Sequence, residues 1–390
     1  MTLPRDRMTS ASPTPPERPV IPVPTRLPAL DGLRGLAALL VMVHHTLLTV
    51  PLFAAAYFDS TSEETWNVGN PAWWIAHTPV HVLWDGKFAV MIFFILSGFV
   101  LTLPVLKAGI AFRWDAYFPQ RLARLYLPVW GALAVAIAAI FLTPRGRNDQ
   151  TEWLRRRADP VSFQDVLNSI MQISAGNEIL SPLWTIRWEI LFSLLLGLFV
   201  WVGLHANGQA VVVSCLVLIA TGGAWQVDAL MYLPMFLIGV VLAVHRGALH
   251  ARLGHLPGRT WAIALTAAVL LASSVWMMPP WVPERVHDGS IALQATGALI
   301  VVAACAFGFP HARVLCSRPV QWLGTVSFSL YLVHETVVVA TADLVGPSES
   351  SIVLPVAIAA SLVAAQLFFL GVERPSHRLS RHIYKRVVKH

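Results

Sequence analysis

"LPALDGLRGLAALLVMVHHTLLTV", Leu27 to Val50, carries Asp31, Arg34, His44 and His45 inside a run otherwise apolar enough to cross a bilayer. Ionisable groups at membrane depth are costly. They face the interior of a bundle, where they pair or serve a substrate. On an α-helix the step from Arg34 to His45 is about 1,100°, three turns plus roughly 20°, so the two share one face. His44 falls about 80° off that line, and Asp31 sits one turn before Arg34, within i,i+3 reach. At about 1.5 Å per residue, His45 lies about 16 Å beyond Arg34, near mid-membrane if Arg34 is at the boundary. The stretch reads as a polar line leading into a bundle. An interhelical hydrogen bond accounts well for His44. For His45 both a structural role and that of a general base, which needs a neutral imidazole, stay open.

The rest of the chain agrees with a membrane setting. Of 390 residues, 56% are hydrophobic and 13% charged, whereas a soluble domain is roughly a quarter charged. This excludes a soluble enzyme with a single anchor. Fifteen tryptophans suit interfacial belts. The net charge of +7 resides mostly in short connections, which implies topology and contact with anionic lipid rather than nucleic acid. Cys215, Cys305 and Cys316 have no metal-ligand spacing and suggest no disulfide framework. There is no GxSxG, P-loop or dinucleotide fingerprint.

Residues 1–26, rich in Pro, Thr, Ser and Arg, read as a disordered cytoplasmic tail without a signal-peptide pattern. Spanning runs fall near 29–50, 87–106, 125–143, 183–204, 210–225, 229–245, 260–278, 290–309, 320–341 and 351–371. The fifth and sixth are short and joined by a tight turn, so a re-entrant pair is an alternative. The expected fold is an all-α integral membrane bundle of about ten helices. Arginine clusters before the first run, between the second and third, the sixth and seventh, the eighth and ninth, and after the last put both termini in the cytoplasm. Residues 144–182, expected outside, contain Arg145, Arg147 and Arg155–Arg157, but long loops obey the charge rule weakly. A basic cytoplasmic tail is expected over 379–390.

Other residues have polar chemistry at helical spacing. Arg121 and Arg124 are one turn apart at a cytoplasmic boundary. Two guanidinium groups on one face suit a polyphosphate, although positive-inside topology is the better explanation of an arbitrary pair. Glu189, a few residues into the fourth run, needs a partner: Arg187, Arg121 or an acceptor hydroxyl. Trp184 and Trp188 share a face and could stack on a sugar or belong to an interfacial belt. Ser97 suits a helix contact; Tyr331 and His334 could line a channel or bond between helices. His77 and His81 have metal-pair spacing but no third ligand, so no metal site is expected.

The opening stretch resembles that of the membrane-bound acyltransferase 3 family, bacterial O-acyltransferases whose first helix has a basic residue, ten intervening residues and a histidine. Arg34 and His45 match that spacing. In order, "FFILSGFVLT" (Phe93–Thr102), "RLARLYLPVW" (Arg121–Trp130), "LWTIRWEILFSLL" (Leu183–Leu195), "LGTVSFSLYLVHETVV" (Leu323–Val338) and "VERPSHR" (Val372–Arg378) resemble later family segments. Arg187, Ile190 and Phe328 depart from the usual pattern. The resemblance covers residues 27–378, read as one transmembrane acyltransferase domain with no esterase-like domain fused after it.

The resemblance implies a multi-pass enzyme of the bacterial cytoplasmic membrane, consistent with the heavy preference for arginine over lysine. It implies transfer of an acyl group, acetyl from acetyl-CoA, to a carbohydrate or glycosylated hydroxyl. No bound cofactor is expected, because the thioester supplies the activation. Arg121 and Arg124 would hold the CoA phosphates, His45 would be the base, Arg34 with Asp31 would tune it, and Glu189 would support the site. Ser97, Trp184, Tyr331 and His334 would line the substrate channel. Direct transfer and an acyl-histidine intermediate both stay open. The rival reading is a transporter or flippase of a lipid-linked sugar, which would carry interrupted helices in two halves.

Overall fold

In the computed structural model, which describes residues 27–143, 151–157, 161–172, 179–346 and 350–389, all described elements are helical. The N-terminal tail expected over 1–26 lies outside the described residues. Helix α1 (Pro28–Leu47) is followed by two short helices, α2 (Pro51–Phe58) and α3 (Pro71–Ala76), and, after a 3-10 turn, by the long α4 (Gly86–Ala108). Then come α5 (Trp114–Leu142), the short α6 (Glu152–Arg155) and α7 (Phe163–Met171), α8 (Trp184–His205), α9 (Gly208–Ala224) and α10 (Asp228–Val244). The chain closes with α11 (Arg246–Leu253), α12 (Gly258–Ser273), α13 (Glu284–Gly289), α14 (Ile291–Phe307), α15 (Arg318–Val345), α16 (Ser350–Phe368) and α17 (Arg374–Lys389).

Six helices among the described residues have the length and apolarity to cross a bilayer, and eight if each of two bent pairs is one span. The bends are α1 into α2, at 104°, and α10 into α11, at 74°. Two further apolar helices, α9 and α12, are 17 and 16 residues long, at or below the short end of what spans hydrocarbon. The chain is thus an all-helical, multi-pass membrane protein.

Two boundaries differ from the sequence expectation. The third span begins at Trp114, not near 125, so Arg121 and Arg124 lie inside α5 rather than in a connection. A hydropathy scan stops where arginine enters, but those side chains face the bundle interior. The tail expected over 379–390 is instead part of α17, which packs along α5: Arg113 Nη2 donates to the Val387 carbonyl at 3.3 Å. A π-helical turn, Phe369–Glu373, joins α16 to α17 and carries Glu373 inward; such turns recur at functional sites.

Small residues set the helix spacing. A Cβ on Gly98 of α4 would fall 2.0 Å from the Phe236 carbonyl oxygen of α10, and one on Gly239 would fall 2.0 Å from the Ile95 carbonyl oxygen. Gly35 of α1 and Gly324 of α15 are equally tight: a Cβ on Gly35 would lie 2.4 Å from the Gly324 nitrogen. Close backbone approach through small residues is how membrane helices gain packing without a hydrophobic drive between them. Gly98→Ala must push α4 from α10. Overpacking costs about 1–3 kcal/mol, so its melting midpoint in detergent falls by several degrees. Gly247→Ala, in open space on α11, leaves the midpoint unchanged or raises it.

Candidate active site

An open cavity lies between α1, α4, α5, α8, α15, the π-turn and α17, with about 1,080 Å³ of free space that includes its solvent-open mouth. Its walls include Asp31, Arg34, Ser97, Arg121, Arg124, Glu189, Tyr331, Glu373 and His377. Glu189 is held on both oxygens: Ser97 Oγ donates to Oε1 at 2.5 Å and Arg121 Nη2 to Oε2 at 2.8 Å. Arg121 Nε also donates to Ser193 Oγ at 3.0 Å. Glu373 accepts a short hydrogen bond from Ser329 Oγ and lies 3.6 Å from His377 Nε2. By contrast, Arg34 and Arg124 have no hydrogen bond or ion pair to another described side chain. The cavity therefore presents two uncommitted guanidinium groups beside carboxylates that already have partners. That arrangement suits an anionic ligand with several acceptor oxygens.

Phe93, Thr185 and Tyr331 also line the cavity. The Tyr331 hydroxyl meets Thr185 Oγ1 at 2.9 Å and donates to the Pro182 carbonyl at 3.1 Å. Beyond it, one turn along α15, His334 stacks on His45 with ring centroids 5.1 Å apart. His45 Nδ1 and His334 Nε2 are 2.8 Å apart. His334 Nδ1 lies 2.9 Å from the Leu330 carbonyl oxygen, which can only accept. In neutral His334 the proton thus sits on Nδ1 and Nε2 accepts, so His45 Nδ1 donates and His45 Nε2 keeps its lone pair.

Glu335, 2% exposed, lies behind this pair with an oxygen 4.0 Å from His45 Nδ1. It accepts from the Ser181 N–H at 3.0 Å, from Ser181 Oγ, and from Arg157 Nε at 3.3 Å. Trp153 stacks on the His45 ring, and the Arg157 guanidinium lies 4.9 Å from the Trp153 ring centroid. Residues 151–157 thus pack against His45 through Trp153, anchored by Thr151 Oγ1 donating to the Leu48 carbonyl at 2.9 Å.

Of the residues singled out in the sequence, Asp31, Arg34, Ser97, Arg121, Arg124, Glu189 and Tyr331 share the cavity. His45 and His334 form a separate pair behind it, and Trp184 lines a different cavity on another face of α8. His44 bonds the Trp84 carbonyl at 2.8 Å, the structural role expected of it. His77 Nδ1 donates to the Trp276 carbonyl at 2.6 Å and His81 stacks on the Trp276 ring. Burial lowers the pKa of His77 and pushes that of His81 down to about 3. No group of three metal-ligating side chains occurs among the described residues.

Sequence reading overlooked Glu335, Arg157, Ser181, Glu373 and His377. Glu335 was detectable as a carboxylate at apolar depth directly after His334. Arg157 lay in a loop read only for its charge, and Ser181 has no sequence signal.

Residues 27–370 match a family model described as an acyltransferase domain. A protein of Bacillus subtilis (strain 168) with the name "Putative peptidoglycan O-acetyltransferase YrhL" is 23% identical over 389 residues, covering 90% of this chain and 54% of that protein. The chain thus spans about half the length of that relative. No solved structure matches.

The Arg121–Glu189 pair is mostly enclosed, with side chains 12% and 14% exposed. Removing one partner of such a pair strands the other, at about 3 kcal/mol or more. Arg121→Ala therefore lowers the melting midpoint clearly. Arg113→Ala, which breaks the exposed pair with Asp115, shifts it little.

Proposed function

The chain belongs to the acyltransferase 3 family, and on that premise we propose that it transfers acetyl from acetyl-CoA to a carbohydrate hydroxyl in a bacterial cell envelope. The observation that carries this reading is the pair of guanidinium groups, Arg34 and Arg124, without hydrogen-bond or ion-pair partners among the described side chains, in a cavity lined also by Tyr331, one helical turn from His334 of the His45–His334 pair. The name of the Bacillus relative supports a glycan acceptor.

In this reading Arg34 and Arg124 take the CoA phosphates. Arg121, bound to Glu189 and Ser193, positions that wall rather than the donor. The pantetheine arm runs along α1 and α15 toward Tyr331, whose side chain moves aside to admit the thioester. The acceptor approaches from the Trp153 end. Its hydroxyl oxygen attacks the thioester carbon while His45 Nε2 takes the hydroxyl proton. The C–S bond breaks, and the imidazolium returns the proton to the leaving thiolate, giving the ester and free CoA. His334 fixes the His45 ring by the 2.8 Å bond, and Glu335 faces the charge that develops on it.

The same reading takes α9 and α12 as crossing helices, for ten spans, with both termini and the arginine end of the cavity in the cytoplasm.

Two measurements on purified protein in lipid nanodiscs test it: acetyl-CoA binding by calorimetry, and release of free thiol with a glycan acceptor present. Loss of a charge-assisted contact is worth about 1.5–3 kcal/mol. Arg124→Ala should therefore weaken binding by roughly tenfold or more. His45→Ala should keep binding and lose thiol release by roughly 10²-fold or more. Acetyl-CoA left intact by folded wild-type protein, or undiminished turnover by His45→Ala, would contradict the reading.

A further inference from the structure

Two cavities lie on different faces of the first turns of α8. Thr185, Ile186 and Glu189 line the one described above. Trp184, Arg187 and Trp188 line the other, together with Asp228 and Tyr232 of α10, around about 430 Å³ of free space. This second cavity lies at the end of the bundle where α8 and α10 begin, the end that also holds Ser181, Glu335 and His45.

Its lining has a particular chemistry. Three aromatic rings form a wall: Trp184 and Trp188 have centroids 4.9 and 5.5 Å from that of Tyr232. Around the wall stand a carboxylate, a guanidinium, a phenol and two indole N–H groups. None of them has a hydrogen-bond or ion-pair partner among the described residues. Trp188 as a residue is 3% exposed, and Trp184, Arg187, Asp228 and Tyr232 are half-buried. Partly enclosed polar groups that line a cavity and lack protein partners suit a ligand that supplies them.

The charges narrow the ligand. In the lining itself one Arg and one Asp cancel; the Lys87 ammonium lies near Tyr232 outside the lining, with Asp85 and Asp288 acting on it in turn, so no strong net charge selects an anion or a cation. An aromatic wall with a nearby carboxylate could cage a quaternary ammonium. Here, however, the Arg187 guanidinium already lies 4.8 Å from the Trp188 ring centroid and occupies that face as a cation. A neutral ring with an apolar face and equatorial hydroxyls fits the set: the apolar face against the aromatic wall, hydroxyl donors to Asp228, hydroxyl acceptors to Arg187 and the indoles.

We propose that Trp184, Arg187, Trp188, Asp228 and Tyr232 form a saccharide subsite that binds a neutral pyranose unit of the acceptor glycan away from the transfer centre. This rests on the carbohydrate-acceptor reading and adds to it a second point of attachment. Such a subsite would hold an extended glycan while one of its residues is modified, raising local acceptor concentration.

The test is saturation-transfer NMR of the full chain in nanodiscs, without acetyl-CoA, against three neutral trisaccharides: chitotriose, cellotriose and maltotriose. Phosphocholine serves as the competing ligand class. The expected result is saturable binding of at least one trisaccharide, none of phosphocholine, and at least fivefold weakening by both Asp228→Asn and Tyr232→Phe. Both substitutions are near-isosteric, and thermal melting checks that each variant is folded. Absence of trisaccharide binding by wild-type protein, binding that survives both substitutions, or preference for phosphocholine would overturn the proposal. Acetyl-CoA binding by the same wild-type sample separates the two readings. Protein that binds acetyl-CoA but no sugar loses only the subsite. Protein that binds sugar through Asp228 and Tyr232 but no acetyl-CoA retains the subsite and loses the donor reading.

Discussion

The close, parallel contact of α1 with α15 is the constraint on which the rest of the site depends. Gly35 meets Gly324 at one point and His45 meets His334 at another, with the same sequence separation of 289 at the histidines. The two helices therefore stay in register for about three turns. Glycine at the first contact lets the backbones touch; any side chain there would separate the helices and draw the imidazoles apart. Glycine at position 32 extends the same approach, since its Cβ would fall 2.2 Å from the Leu315 carbonyl oxygen. One sequence pattern thus both spaces the helices and aligns Arg34 and His45 along their seam.

Polar groups along that seam fall into two kinds. Most are satisfied within the protein: Glu189 by Arg121 and Ser97, Glu335 by Arg157 and Ser181, Glu373 by Ser329. These networks fix their members, and each would be costly to break in a low-dielectric interior. Arg34 and Arg124 are of the other kind: among the described residues neither has a hydrogen bond or ion pair to a side chain, and Glu373 acts on both only at longer range. Desolvating a cation without pairing it is unfavourable, which makes these two the natural contacts for an anionic substrate. Tyr331 stands between the two chemistries, its hydroxyl bonded to Thr185 and to the Pro182 carbonyl.

Much of this was legible in the sequence because helical periodicity is strict. The shared face of Arg34 and His45 followed from their spacing alone, and the need of Glu189 for a partner followed from its depth. What spacing cannot show is which residues of distant helices meet. Arg121 was one of three partners open to Glu189, and only the tertiary contact selects it, with Ser193 taking its Nε. The start of α5 was placed too late because arginine lowers hydropathy even when the helix continues. Ser181 and Arg157 come from connections whose positions are set only by tertiary contact with Glu335.

The central claim is that one continuous path joins the arginine cavity to the imidazole pair. A structure of the protein in nanodiscs with a non-transferable thioether analogue of acetyl-CoA tests it most directly. The account predicts phosphate density against Arg34 and Arg124, the pantetheine arm between α1 and α15, and the sulfur beside a displaced Tyr331. Phosphates bound elsewhere, or an analogue that leaves this cavity empty, would contradict it.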